Sequence, residues 1–243
     1  MTSKHDQLFL DPGRQLVDFA FDDAVANVFP DMIRRSVPGY ETVVPLTGLM
    51  AVRHLRGLPP PARTCYDLGC SLGATTLAVL HQLGDLEARL IGVDNAPAMI
   101  ERARVQIIDP RVRFELGDMR ELPLQPAGVV ILNYVLQFIP PTDRLQLLAG
   151  IRAALDERGL LIVSGKIRFS DPIEEAFYDE AHLDFKRANG YQELEISGKR
   201  SALERVMILD TEEDLRASFA AAGFRRVRKW YQCLNWASLL VSP

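Results

Sequence analysis

The sequence predicts a doubly wound α/β fold: a mostly parallel seven-stranded sheet with helices on both faces. Three observations predict it. Thr64-Cys65-Tyr66 is a short apolar strand, Ala74 to Leu83 a helical stretch, and the turn between them holds Gly69 and Gly73. Strand, tight glycine turn and helix are how such sheets build a ligand crevice at the carboxyl ends of their strands. From there strands and helices alternate as far as Val163, the order a parallel sheet with crossover helices requires. Finally, Gly128 to Leu132 is a continuous apolar run, as a strand covered on both faces must be.

In chain order, residues 1–60 are an N-terminal helical extension ahead of the sheet. Its first part is mixed, with Phe9, Phe19, Phe21 and Phe29 scattered through it. Pro38-Gly39 marks a turn, Val43, Leu46, Thr47 and Met50 a helix, and Leu58-Pro59-Pro60-Pro61 the closing loop. Such a segment either folds over the crevice as a lid or packs on the core as a plain helix. In the helix after the glycine turn, Leu77, Leu80 and His81 share one side. Arg89 to Val93 is the second strand, ending in Asp94-Asn95, and Pro97 to Ile107 the next helix. Val112 to Leu116 is the third strand, ending in Gly117-Asp118-Met119, and Gly128 to Leu132 the fourth, ending in Asn133-Tyr134. Thr142 to Leu155 is a helix and Gly159 to Val163 the fifth strand.

Residues 165–209 break the rhythm. Lys166 to Phe169 extends the strand, Glu174 to Ala188 is a charged helix, and Ser197 to Val206 a second. The stretch is too long for a plain connector; it is expected to cover the active site or to form an oligomer arm. Thr211 and Asp214 then fit a capping box. The helix they open turns Leu215, Phe219 and Ala222 inward and stops at Gly223, and Arg225 to Tyr231 pairs with Leu234 to Val241 as a terminal hairpin. One domain is expected to span residues 1–243.

Of the 243 residues, 48% are hydrophobic and 25% charged, enough for an ample core. A net charge of −4 offers no global field for nucleic acid. Cys65, Cys70 and Cys233 form no metal-like spacing with histidine. Their odd number and the polar start at Met1-Thr2-Ser3-Lys4 point to a cytoplasmic protein. No apolar run approaches the roughly 20 residues of a membrane span. No metal is expected.

The glycine turn narrows the ligand. A dinucleotide fingerprint G-x-G-x-x-G would need glycine where Ser71 and Ala74 stand. Asp67, just before Gly69, would repel a pyrophosphate at the helix N-terminus, whereas a ligand with an ammonium and a sulfonium tolerates it. D-x-G-x-x-x-G resembles the first motif of S-adenosylmethionine (SAM) binding domains. The other strand ends agree. Asp94 lies 25 residues beyond Gly69, close to the roughly 20-residue offset of a ribose-binding acid, and its two oxygens can accept from both ribose hydroxyls. Asp118 can accept from an adenine amine, with the Met119 backbone as a donor.

Beyond the crevice motifs, the chain is similar to one specific family. Phe29-Pro30-Asp31-Met32, residues 35–40 (Arg-Ser-Val-Pro-Gly-Tyr), residues 66–74 and residues 97–102 resemble the carboxy-S-adenosyl-L-methionine synthases. So do residues 184–191 (Asp-Phe-Lys-Arg-Ala-Asn-Gly-Tyr), 193–197 and 199–201. The likeness runs from about Phe9 to Val241 and includes blocks outside the generic class I SAM-methyltransferase core. It implies a synthase that turns SAM and prephenate into carboxy-SAM and phenylpyruvate. A partner enzyme, a tRNA carboxymethyltransferase, would then use carboxy-SAM on a wobble hydroxyuridine. By the same resemblance, Tyr40, Gly69, Cys70, Ser71, Asp94, Asn95, Asp118, Met119 and Asn133 form the SAM site. Arg200 is the implied carboxylate ligand, the one side chain assigned to catalysis, supplied by the neighbouring subunit of a homodimer. Gly165 stands where the family is expected to carry an acid, and Leu183 where a second histidine is expected; neither touches the SAM positions, and an effect of either would fall on the prephenate pocket. No side chain is an obvious base, so the proton acceptor is expected to derive from prephenate.

An ordinary SAM-dependent methyltransferase, acting on a small molecule or tRNA, shares every core motif and is the alternative. The basic stretch from Arg225 to Tyr231 has the composition of an RNA contact, yet on an alternating strand it reads as a solvated face; no direct nucleic-acid binding is expected.

Overall fold

The structure, a computed structural model, describes residues 22–193, 195–197 and 206–243. A seven-stranded sheet runs in the order β3-β2-β1-β4-β5-β7-β6. Its strands are β1 (Thr64–Leu68), β2 (Arg89–Asp94), β3 (Val112–Leu116), β4 (Ala127–Asn133), β5 (Leu155–Lys166), β6 (Arg226–Cys233) and β7 (Trp236–Ser242). The first five pair in parallel, and β7 lies antiparallel between β5 and β6. The order turns back at β1 and β4, which leave the sheet's carboxyl edge in opposite directions and open a crevice there. The expected doubly wound sheet and terminal hairpin are both present.

Central strands explain the two cores. Side chains on a strand alternate between faces, and on β4 Val130 and Leu132 point to one core, Val129 and Ile131 to the other. The first core is completed by α5 (Pro141–Ala154) and α7 (Glu212–Ala221), through Leu148, Ile151 and a fully buried Phe219. Leu215 and Ala222 are buried beside it, and Thr211 and Asp214 form the expected capping box. The second core is filled by α2 (Tyr40–Arg56) and α3 (Ala74–Leu83), through Val52, Leu55, Val79 and Leu83. Here one expectation is corrected: α3 buries Thr75, Thr76, Val79 and Leu83, while Leu77 and Leu80 are only partly buried and His81 faces solvent. The helix lies against both the sheet and α2, which rotates its inward face away from the stripe read from leucine spacing alone.

In the N-terminal extension, a helix also forms in the part whose sequence read as mixed. Asp23–Ser36 is a helix, α1, capped by Asp22, whose side chain accepts from the Val25 amide at 2.9 Å. Pro30 lies inside it, and a proline there removes a backbone donor and reads as a break. Packing outweighs that loss: Val25, Ala26 and Met32 bury against Ala96 and Met99 at the start of α4 (Pro97–Gln106). The inserted segment contributes α6 (Pro172–Ala188), which lies on α1. Buried His182 of α6 meets the Ser36 carbonyl at 2.8 Å; burial, with the Lys186 charge nearby, drives its imidazole down to about 3, so it stays neutral. β5 ends at Lys166, and Arg168 continues only as an isolated bridge to Thr211. Most of the expected helix 197–206 lies outside the described residues. Among the described residues, no helix is long and apolar enough to cross a membrane.

Candidate active site

The carboxyl edge of the sheet opens into a cavity of 890 Å³, walled by the strand ends on one side and by α1 and the start of α2 on the other. Every expected SAM-site residue among those described lines it: Tyr40 from α2, Gly69, Cys70 and Ser71 after β1, Asp94 and Asn95 at β2, Asp118 and Met119 after β3, and Asn133 ending β4. Arg200 and its neighbour Lys199 lie outside the described residues.

The turn after β1 is built by backbone hydrogen bonds to β2. The Gly69 and Cys70 amides both donate to the Val93 carbonyl, at 2.8 and 3.0 Å, and the Ser71 amide donates to Asp94 Oδ2 at 2.8 Å. This sharp wrap needs left-handed backbone. Gly69 and Gly73 have φ of 76° and 81°, and a Cβ on Gly69 would sit 2.5 Å from the Val135 side chain. Ser71 has φ of 51°, a conformation that costs a non-glycine residue stability and gathers at functional sites. Tyr134, just past Asn133, has φ of 62°. Two strained residues thus face one cavity from neighbouring strand ends.

Electrostatics divide the acids by role. Asp67 is buried beneath the turn and accepts from Thr76 Oγ1 of α3 at 2.6 Å; burial pushes its carboxyl up to about 6. Asp94 receives the Ser71 amide on Oδ2 and the Ala96 amide, at 2.9 Å, on Oδ1. The Asn95 amide bears on it as well, so a ligand can use only the lone pairs these amides leave over, and burial again raises its carboxyl above the usual range. Asp118 is held differently. Arg120 engages both its oxygens, at 2.6 Å from Nη2 to Oδ2, and also reaches Asp143 at 2.7 Å; the arginine keeps the Asp118 carboxyl below its ordinary value.

On the opposite wall Tyr40 was expected, but its two aromatic neighbours were missed. Tyr40 and Tyr134 rings lie 5.6 Å apart, and Trp236 meets Tyr134 edge-on at 5.8 Å. Burial raises both phenols, with Asp67 adding to the effect at Tyr40, and holds them neutral. Tyr134 and Trp236 belong to no motif; only the topology that sets β4 and β7 on either side of β5 brings them together. Asn133 Nδ2 donates to Thr75 Oγ1 at 3.2 Å, while its Oδ1 is buried with no donor among the described residues. Neither family departure faces this cavity: Gly165 lies behind Gln137, and Leu183 is half-buried on α6.

Comparison with known proteins agrees with this architecture. Residues 66–159 match the methyltransferase domain family. An O-methyltransferase family protein from Burkholderia thailandensis superposes with a TM-score of 0.63 at 17% identity, over 90% of this chain and 58% of the other. Human N-acetylserotonin methyltransferase in complex with SAM superposes with 0.61 at 15% identity, over 99% and 63%. These likenesses establish a methyltransferase-like fold. Much nearer are two proteins named carboxy-S-adenosyl-L-methionine synthase. That of Geobacter sp. (strain M21) is 46% identical over 99% of both chains, and that of Pseudomonas putida (strain KT2440) 47% identical over 100% of both. Identity of that extent also covers the N-terminal and inserted segments outside the methyltransferase match, and the chain belongs to the carboxy-S-adenosyl-L-methionine synthase family.

Proposed function

We propose that this protein converts SAM and prephenate into carboxy-SAM and phenylpyruvate. The observation that carries the reading is the full-length relationship to carboxy-SAM synthases, joined to a cavity whose wall holds every described residue expected for SAM. In this reading Asp94 takes the ribose, and Asp118 with Met119 borders the adenine. The Asn133 side-chain oxygen Oδ1, buried without a donor among the described residues, gains one from the ligand, which offsets a desolvation cost of about 1–3 kcal/mol. A ligand bearing a sulfonium and an ammonium also suits a crevice with Asp67 and Asp94 beneath it.

The chemistry needs positioning more than a side-chain nucleophile. The bond from the prephenate ring to its carboxyl carbon breaks, its electron pair enters the ring, and the ring becomes aromatic as the 4-hydroxyl departs. The sulfonium methyl loses one proton, which that hydroxide takes up as water, and its carbon bonds the carboxyl carbon. Atoms and charge balance without an external oxidant. The cavity contributes proximity and exclusion of water. Arg200, proposed to come from the second subunit of a cytoplasmic homodimer, would pair with the new carboxylate through parallel donors. The product would serve a separate tRNA carboxymethyltransferase.

Incubation with SAM and prephenate, followed by mass spectrometry, tests the proposal: SAM gains the mass of a carboxyl group in place of one hydrogen. An ordinary methyltransferase leaves no such product. Arg200→Ala is expected to lose most affinity for carboxy-SAM and to keep much of it for SAM; equal losses for both would remove the arginine from the carboxylate.

A further inference from the structure

Gln137 lies four residues after Asn133, in the 3₁₀ turn Leu136–Phe138, and the residue is 6% exposed. It borders the 890 Å³ cavity on one side and a 20 Å³ void, lined by Ser164, Gly165 and Lys166, on the other. Two contacts orient its amide. Oε1 accepts from the Lys166 amide at 3.1 Å, and Nε2 lies 3.5 Å from Met207 Sδ. A primary amide nitrogen carries two donors and a thioether is a weak acceptor, so this buried group keeps donor capacity that no described residue uses well.

Gly165 makes that arrangement possible. A Cβ there would stand 2.7 Å from Gln137 Oε1, closer than real Cβ contacts approach. The absence of a side chain at residue 165 is therefore what admits the glutamine amide to its position against Lys166. The surrounding wall is apolar, with Val135, Phe138 and Trp236 nearby on the cavity lining.

We propose that Gln137 Nε2 is the donor that receives the departing carboxylate of the second substrate, and so sets specificity for a carboxylated partner to SAM. The inference rests on the carboxy-SAM synthase reading and deepens it. A neutral donor suits this step better than a cation. The carboxylate loses its charge as it leaves, so an interaction strongest with the charged ground state would oppose reaction, and catalysis depends on interactions that favour the transition state. An amide orients the oxygen without holding the charge, and the apolar wall favours the uncharged carboxyl unit.

Three variants test it. Gln137→Glu keeps an acceptor for the Lys166 amide and puts a repelling charge where the donor was; Gln137→Met removes the donor with little change of volume. Gly165→Ala leaves the glutamine in place and crowds its amide. Calorimetry of prephenate binding to protein loaded with S-adenosylhomocysteine reads the effect without turnover, alongside SAM affinity and the thermal midpoint. Expected is a roughly 10- to 100-fold loss of prephenate affinity in Gln137→Glu and Gln137→Met, the value of a hydrogen bond to a charged group. Gly165→Ala is expected to move the same way, with SAM affinity kept within about twofold by all three, since none of the proposed SAM contacts is removed. Unchanged prephenate affinity in the glutamine variants overturns the role of Gln137 while leaving the synthase reading intact. Equal losses for SAM and prephenate make Gln137 a support of the fold and overturn it too. Wild-type protein that binds no prephenate, and forms no carboxy-SAM, removes the reading and this inference together.

Discussion

At the scale of single residues, the crevice is a set of carboxylates in unlike surroundings. Asp94 holds the Ser71 and Ala96 amides, so it shapes the turn and offers its remaining lone pairs to a ligand. Asp94→Ala is expected to weaken SAM binding by about 10²- to 10⁴-fold, because two charge-assisted hydrogen bonds of roughly 1.5–3 kcal/mol each disappear. Calorimetry on the folded variant checks this, and near-unchanged affinity would take Asp94 away from the ribose. Asp67 makes a pH prediction. Its carboxyl rises from an ordinary 3.8 to about 6 because it is buried, so between those values the folded protein binds the proton more tightly than the unfolded chain. Stability from this group is complete below the lower value and is lost as pH rises through the upper one, by about 3 kcal/mol in all. Asp67→Asn removes the titration: urea unfolding should show its stability relative to wild type rising between pH 4 and 7. A difference that stays constant with pH would contradict the assignment.

At the scale of elements, what was legible followed from local chemistry. Helix α3 and strand β3 have the boundaries that glycine and apolar runs mark, and the Thr211–Asp214 box opens α7. What was not legible depended on contacts distant in sequence. Pro30 conceals α1, which survives through packing on α4. Trp236 completes the aromatic wall of Tyr40 and Tyr134 only once β7 has entered the sheet beside β5. Buried Arg144 is a further case: nothing around it in sequence announces a role. Its Nε donates to the Ile139 carbonyl at 2.8 Å, its Nη2 to the Ile208 carbonyl at 2.6 Å, and its Nη1 pairs with Asp210. It thereby ties α5 to the segment that brings Met207 to the cavity. Arg144→Ala should cost about 1–3 kcal/mol in chemical denaturation, since the partly buried Asp210 carboxylate and two backbone carbonyls lose their donor. A loss below about 1 kcal/mol, the value of an exposed ion pair, would show that the clasp is solvated.

At the scale of the whole molecule, the glycine turn, the strand-end acids and the N-terminal helices all converge on one cavity, so ligand binding should be felt as stability of the entire fold. A ligand that binds only the folded state adds about 2.7 kcal/mol when present at 100 times its Kd. For a chain of this size each kcal/mol moves the melting point by about 2–4 °C, which makes the expected rise roughly 5–10 °C. SAM at that excess should therefore raise the midpoint by this amount. At equal concentration carboxy-SAM should raise it further, because in the proposed reading it would add a carboxylate contact while keeping those of the nucleoside. NAD should leave it unchanged: Ser71 stands where a pyrophosphate turn needs glycine, and an acid, Asp67, lies beneath the turn where the phosphates would sit. Differential scanning fluorimetry with the three ligands separates the outcomes. A shift with NAD equal to that with SAM would reject the reading of the turn, whereas a larger shift with SAM than with carboxy-SAM would leave the fold assignment standing and count against the product.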